Sequence, residues 1–179
     1  MIVKNIGQPS LKSSRIGDDV ALLQSKSGLL IINSDMLVSE TDITPKMSLK
    51  QAARKAIVMS VSDFAAKGVV PTAFLLSLGI PRSINSKDIR NIVSGIKDAC
   101  REFSIQLIGG DTNESKSLVI NCIMFGFDKK IISRDGATPD DIVAVTDYFG
   151  YSSAGLTILL NDLDACSTFN KTAVLSILN

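Results

Sequence analysis

Short apolar runs alternate with two longer segments of helical spacing along this chain. Two of the short runs, residues 19–23 and 29–33, are separated by a turn of Ser, Lys and Gly, a pattern that predicts a β-hairpin. Residues 47–67 place apolar side chains on one side of a helix, with Ser48 as its N-cap and Gly68 at its end. The chain is therefore predicted to begin with two strands followed by a helix.

A second helix and several further strands are predicted downstream. Ser86 can cap a helix over residues 87–103, which carries an apolar stripe. Strands are predicted at residues 72–80, 105–108, 118–127 and 142–146, and the start of another helix at residues 152–160.

The order of these elements predicts an α+β fold. Strand pairs mixed with single crossovers favour a mixed or antiparallel sheet covered by helices on one face over a doubly wound parallel sheet. A polar, turn-rich stretch at residues 129–141 marks a candidate boundary. We expect an N-terminal domain over residues 1–138 and the beginning of an incomplete C-terminal domain over residues 139–179, since so few residues cannot form a second core.

Composition narrows the class of protein. Of the 179 residues, 45% are hydrophobic, so a compact domain is expected. The 19 basic and 18 acidic side chains nearly balance and form no long basic run, so nucleic acid is a poor partner. The apolar runs are too short to span a bilayer and no secretory signal is visible, which favours a cytoplasmic location. Cys100, Cys122 and Cys166 are widely spaced and are interpreted as reduced thiols.

The candidate chemistry lies in carboxylates at the beginnings and ends of predicted elements. They occur at residues 17–19, 33–35, 60–63 and 109–112. Converging carboxylates need cations between them, and oxygen ligands of this kind suit Mg²⁺. The chain has no His, and it has neither a Walker nor a Rossmann glycine motif. Metal-assisted phosphate chemistry is therefore the function that these residues favour.

Each of these sites also has a plainer interpretation. Asp63 lies near the C-terminal end of its helix, where the helix dipole predicts a need for an external cation, but it could instead be a solvated acid. Residues 109–112 could bring backbone amides to a phosphate or form a simple turn. Of Asp18 and Asp19, one can face a site while the other caps a turn. Arg134 could bind phosphate through its planar fork or remain solvated.

Five motifs, taken in order, resemble those of the thiamine-monophosphate kinases. They are Gly17-Asp18-Asp19, SDMLV at residues 34–38, SVSDFAAKG at 60–68, LIGGDT at 107–112 and RDGA at 134–137. Each is weak alone, but five in one order over about residues 16–160 are specific together. The wider group is the aminoimidazole-ribonucleotide (AIR) synthetase superfamily, which includes selenophosphate synthetase and a hydrogenase-maturation enzyme.

The resemblance implies the N-terminal domain of the AIR-synthetase-like fold, in a homodimer whose N-terminal sheets join into a barrel. It also implies ATP- and Mg²⁺-dependent phosphorylation of thiamine phosphate to thiamine diphosphate by in-line attack. No separate catalytic base is expected, because the acceptor phosphate is already anionic at neutral pH. By position, the implied metal ligands are Asp19, Ser34, Asp35, Asp63 and Asp111, and the implied nucleotide-binding residues are Gly110, Asp111 and Arg134.

The chain departs from the family pattern at the acceptor site. Asp42 stands where the family has a His that meets the substrate, and it is the substrate-site candidate here. The family's further acids belong to a second domain, so a chain ending at Asn179 is expected to bind nucleotide and metal weakly and to be inactive alone. Two alternatives stay open: a sister enzyme with another acceptor, and a non-catalytic dimerising module.

Overall fold

The chain folds into one sheet and five helices over the part that a computed structural model describes, residues 17–26, 28–146, 148–164 and 168–178. The strands are β1 (Ala21–Ser25), β2 (Gly28–Val38), β3 (Pro71–Ile80), β4 (Gln106–Glu114) and β5 (Val119–Asp128). The helices are α1 (Ser39–Asp42), α2 (Leu49–Ala66), α3 (Ser86–Phe103), α4 (Tyr151–Leu160) and α5 (Thr168–Leu178). The predicted α+β class is confirmed.

The five strands lie in the order β1-β2-β5-β3-β4. Neighbours are antiparallel from β1 to β3, whereas β4 pairs parallel with β3 after the crossover through α3. The predicted hairpin and the mixed sheet are therefore both present. Because β2 and β4 are separated by two intervening strands, side chains on them are about 14 Å apart across the sheet.

One face of the sheet is buried beneath helices. On β2, Ile31, Asn33 and Leu37 are buried, and they alternate with Ser34 and Met36, which are exposed. This alternation places the first set towards α2 and the second set on the opposite side. We call that opposite side, which carries Ile32, Ser34 and Met36 of β2 and the matching residues of β5 and β3, the open face.

The two long helices pack closely against each other over the buried face. A Cβ atom at Gly95 of α3 would lie 2.0 Å from the carbonyl oxygen of Lys50 in α2, so only glycine permits this approach. The side chain of Ser48 caps α2, as the sequence predicted, and Gln51 completes a capping box with it, which was not predicted. The cap of α3 is Asn85 rather than Ser86, because the Asn85 side chain accepts from the amides of Lys87 and Asp88.

Among the described residues, no helix is both long enough and apolar enough to cross a membrane.

The sequence placed the end of one strand wrongly and predicted one strand that is not formed. The strand predicted at residues 105–108 continues through both glycines to Glu114, so residues 109–112 form part of β4 and not a turn. The strand predicted at residues 142–146 is not formed: Ile142 and Val143 are more than nine-tenths exposed and have no strand beside them in the described part of the chain. An apolar run becomes a strand only where it finds a pairing partner.

The segment after the sheet forms two helices. The predicted helix near residues 152–160 is present as α4, and α5 packs against it so closely that a Cβ atom at Gly155 would lie 2.0 Å from the carbonyl oxygen of Ala173. Lys46 ties this pair to the first part of the chain through an ion pair with Asp162 at 2.6 Å. The division at residue 138 stays a prediction.

Candidate metal and nucleotide site

Asn33 is the buried centre of the candidate site. Its side chain projects from β2 towards the helices and is only 5% exposed. The Asn33 amide nitrogen donates to Asp63 Oδ2 at 2.7 Å and to the backbone carbonyl of Asp19 at 3.0 Å. Its Oδ1 atom is buried and accepts no hydrogen bond within the described residues. The amide thus joins three segments and leaves one buried acceptor unsatisfied within the described residues. We call Asn33 and the neighbouring acids Asp19, Asp35 and Asp63 the Asn33 cluster.

Asp63 and Asp35 are uncompensated in the sense that no ion pair reaches them, although the charge of Lys67 offsets a small part of the rise in the pKa of Asp63. Burial raises the pKa of Asp63, and the negative charges of Asp35 and Asp19 raise it further. In the described part of the chain no ion pair reaches either Asp35 or Asp63. Neighbouring carboxylates without a cation repel each other, which favours binding of a cation between them.

Lys67 compensates the other two acids. This residue is the C-cap of α2, and its ammonium lies 2.5 Å from Asp18 Oδ1 and 3.2 Å from Asp19 Oδ2. The hydrogen bond from Lys67 lowers the pKa of Asp18. Burial alone would lower the pKa of Lys67, but its bonds to the two carboxylates outweigh burial and raise it. Asp18 also accepts from the amide of Asp19, so it holds the turn while Asp19 faces the site.

Arg134 reaches the same acids from the loop that follows β5. The loop is anchored where the amide of Ile132 donates to the carbonyl of Lys67 at 3.0 Å. Two residues later, the Arg134 guanidinium donates to Asp19 Oδ1 at 2.8 Å. The arginine is nearly two-thirds exposed, so its fork could turn from Asp19 to a bound phosphate.

Ser34 and Asp111, two further predicted metal ligands, do not join this group in a single copy of the chain. Ser34 lies on the open face, where its hydroxyl donates to Asn121 Oδ1 at 3.3 Å. Asp111 pairs in register with Ser77 on the exposed edge strand β4. Gly110, its neighbour, is required by packing, since a Cβ atom there would lie 1.8 Å from the carbonyl oxygen of Leu76. The structure thus brings together Asp19, Asp35 and Asp63 only.

Asp42 has a local structural role. Its Oδ2 atom accepts from the amide of Val38 at 2.7 Å and from the Thr41 hydroxyl at 3.1 Å. Its backbone carbonyl accepts from the Lys55 ammonium at 2.7 Å. The carboxylate proposed for substrate contact is therefore already engaged with its own backbone.

The donor set fits a hard divalent cation. The described residues hold no preformed group of three or more His, Cys, Asp or Glu side chains that would bind a metal ion unaided. However, Asp35 and Asp63 lack a cation, and Asn33 Oδ1 lacks a donor. Oxygen ligands that leave coordination positions for phosphate and water are typical of Mg²⁺ sites with nucleotides.

Comparison with known proteins places this chain in a family. Residues 17–127, more than half of the chain, match the family model of the AIR synthase related protein, N-terminal domain. The chain belongs to this family. The matched region contains every site residue named above except Arg134.

The chain is similar to several named enzymes and to a solved complex. Thiamine-monophosphate kinase of Nitrosopumilus maritimus is 44% identical over 143 residues, covering 80% of this chain and 46% of the relative. The Pyrococcus horikoshii enzyme of the same name is 35% identical, covering 81% of this chain and 47% of the relative. The structure of AaThiL complexed with AMPPCP and TMP superposes with a TM-score of 0.86 at 28% identity, covering 99% of this chain and 56% of that one. The chain thus spans about half the length of the relatives it matches.

Proposed function

We propose that this chain forms the nucleotide- and magnesium-binding part of a thiamine-monophosphate kinase, which transfers a phosphoryl group from ATP to thiamine phosphate. The observation that carries the proposal is the pair of uncompensated carboxylates, Asp35 and Asp63, with Arg134 anchored close by. The similarity to named thiamine-monophosphate kinases and to a complex with AMPPCP, an ATP analogue, and TMP supports the choice of substrates.

In this proposal the residues of the chain bind and orient the triphosphate. Asp19, Asp35 and Asp63, with Asn33 Oδ1, would hold Mg²⁺, which when bound neutralises phosphate charge. Arg134 would leave Asp19 and bind the triphosphate through its fork. An oxygen of thiamine phosphate attacks the γ-phosphorus in line, the bond from that phosphorus to the bridging oxygen breaks, and ADP leaves. Since the acceptor is anionic, positioning supplies the catalysis without a general base.

A homodimer joined through the N-terminal sheets is part of the same proposal. The open face carries exposed apolar side chains such as Met36 and Phe127, and β4 is an exposed edge strand. Ser34 and Asp111 both lie away from the Asn33 cluster within one copy. A second copy packed on the open face would bring a second set of these residues near the first and would cover the apolar surface.

Calorimetric titration of the full chain with MgATP tests the nucleotide site. We expect binding that EDTA abolishes and that a D63A variant loses. Absence of binding at millimolar MgATP would contradict the proposal and favour the non-catalytic dimerising module.

The alternative is a sister enzyme with another phosphoryl acceptor. It is favoured by the contacts of Asp42, whose carboxylate is engaged with Val38 and Thr41. Assays of ATP turnover by the whole protein against a panel of acceptors separate the two functions, because stimulation by thiamine phosphate alone identifies the kinase.

A further inference from the structure

Lys67 is a buried cation inside the candidate site. Its side chain is 2% exposed, whereas the two acids it contacts are about one-quarter exposed. A buried ammonium is costly unless it is paired and hydrogen-bonded. Both Asp18 and Asp19 satisfy it, so the three side chains form a cluster that no single member could maintain.

The backbone of Lys67 places this cation where three segments meet. Lys67 ends α2, and Gly68 then turns the chain with a φ of +67°. The carbonyl of Lys67 holds the loop at Ile132. The residue therefore connects the helix that carries Asp63, the turn that carries Asp19 and the loop that carries Arg134.

The charges divide the site into two halves. Asp18 and Asp19 carry two negative charges, which Lys67 and Arg134 balance. Asp35 and Asp63 form no direct ion pair in the described part of the chain, although the charge of Lys67 also acts on Asp63. The first pair of acids is thus compensated by direct ion pairs without any metal ion, and the second pair is not.

We propose that Lys67 is an internal counter-cation of the site, whose ammonium holds Asp18 and Asp19 in place when no divalent ion is bound. It acts as a positioning residue, because its ammonium contacts the proposed ligand Asp19. In the wild-type chain Mg²⁺ would then mainly compensate Asp35 and Asp63, with Asp19 already held in place to serve as a further ligand. The inference rests on the proposed function solely in assigning Asp19 to a divalent cation.

The test uses the full chain without nucleotide and compares Lys67→Met with wild type. Methionine has a similar length but no charge, so Asp18 and Asp19 lose their buried cation and keep only the exposed Arg134. We expect the unfolding temperature to fall by roughly 5–10 °C without divalent ions, since removing one partner of a buried pair is strongly destabilising. Millimolar MgCl₂ at constant ionic strength should restore at least half of that loss, and Lys67→Arg, which keeps the charge but is bulkier, should lose less than Lys67→Met.

Two further variants make the result specific to charge. Lys50→Met removes an ion pair of the same type, between Lys50 and Asp98 at 2.7 Å, from a side chain that is half exposed, and it should show no added response to Mg²⁺. Adding Asp18→Asn to Lys67→Met should raise the unfolding temperature above that of the single variant.

A Lys67→Met protein that neither Mg²⁺ nor Asp18→Asn stabilises, including one that stays unfolded throughout, overturns the proposal. Rescue by Asp18→Asn without rescue by Mg²⁺ upholds the role of Lys67 and counts against the metal assignment instead.

Discussion

Arg134 shows how a single residue can serve two partners in turn. Its guanidinium pairs with Asp19 at 2.8 Å but is 63% exposed, so little stability depends on that pair. A charge-assisted bond to a phosphate contributes about 1.5–3 kcal/mol. We therefore expect Arg134→Gln to weaken MgATP binding roughly 10- to 100-fold in calorimetric titration, with little change in unfolding temperature.

The control for Arg134 is Arg82→Gln. Arg82 also forms an exposed ion pair, with Glu114 at 2.8 Å, but it lies outside the Asn33 cluster. Its loss should leave MgATP affinity unchanged. Equal effects of the two variants would show that Arg134 does not bind the phosphates.

The charge of Asp63 should destabilise the metal-free chain and be required for Mg²⁺ binding. Its charge is uncompensated, so Asp63→Asn should stabilise the metal-free chain by about 1 kcal/mol, while the new amide oxygen can still accept from Asn33. The same change should abolish the rise in unfolding temperature that Mg²⁺ produces. Thermal unfolding with and without MgCl₂ measures both effects. Asp98→Asn, which removes an acid already paired with Lys50, should give no stabilisation.

The pH dependence of stability follows from the same charge. Because folding raises the pKa of Asp63, the folded chain binds the proton more tightly than the unfolded chain does. The contribution of Asp63 to metal-free stability therefore falls as pH rises from the ordinary value of 3.8 through the raised pKa. Denaturant unfolding across this range should show a shallower decline in Asp63→Asn. An identical pH profile in both proteins would contradict the assignment.

The sequence predicted candidate metal ligands, an assignment that stays a prediction, but it did not show which of them lie together. The motifs placed Ser34 and Asp35 in one ligand set, whereas adjacent residues on β2 point to opposite faces and so separate the two. Lys67 was overlooked because a lysine after a helix is ordinarily solvated. Its burial depends on contacts with residues 49 positions earlier, which the sequence alone does not reveal.

At the scale of elements, Gly110 determines how β4 joins the sheet. Its φ is +154° and a Cβ atom would lie 1.8 Å from the carbonyl oxygen of Leu76 on β3. Gly110→Ala should therefore break the pairing near Asp111 and destabilise the chain by roughly 3 kcal/mol or more, measured by denaturant unfolding.

Gly136→Ala is the matched control for that change. Gly136 also has a positive φ, of +130°, but nothing lies within 4 Å of its added Cβ atom. Only backbone strain of about 1–2 kcal/mol is expected there. A similar loss in both variants would mean that close approach to β3 contributes nothing.

Helices and strands were predicted correctly where local caps and apolar spacing determine them, and wrongly where pairing with another strand determines their extent. The N-cap at Ser48 and the helical spacing after it predicted α2 almost to the residue. The extent of β4 could not be read from its glycines, because parallel pairing with β3 extends the strand through them. Residues 142–146 have the composition of a strand but no neighbouring strand in the described part of the chain.

At the scale of the whole molecule, the open face of the sheet is the surface that should control assembly. Met36 is 56% exposed in the middle of this face, where it pairs in register with Asn121 of β5, which in turn pairs with Ser77 of β3. A glutamate at this position would place a charge inside an apolar interface between two sheets, where it could not be solvated. We expect wild type to sediment as a dimer in analytical ultracentrifugation and Met36→Glu to sediment as a monomer.

The control is Val93→Glu, which alters an exposed apolar residue of α3 on the helical side and should remain dimeric. A monomeric wild-type chain, or a dimer that tolerates Met36→Glu and not Val93→Glu, would show that the open face does not form the interface.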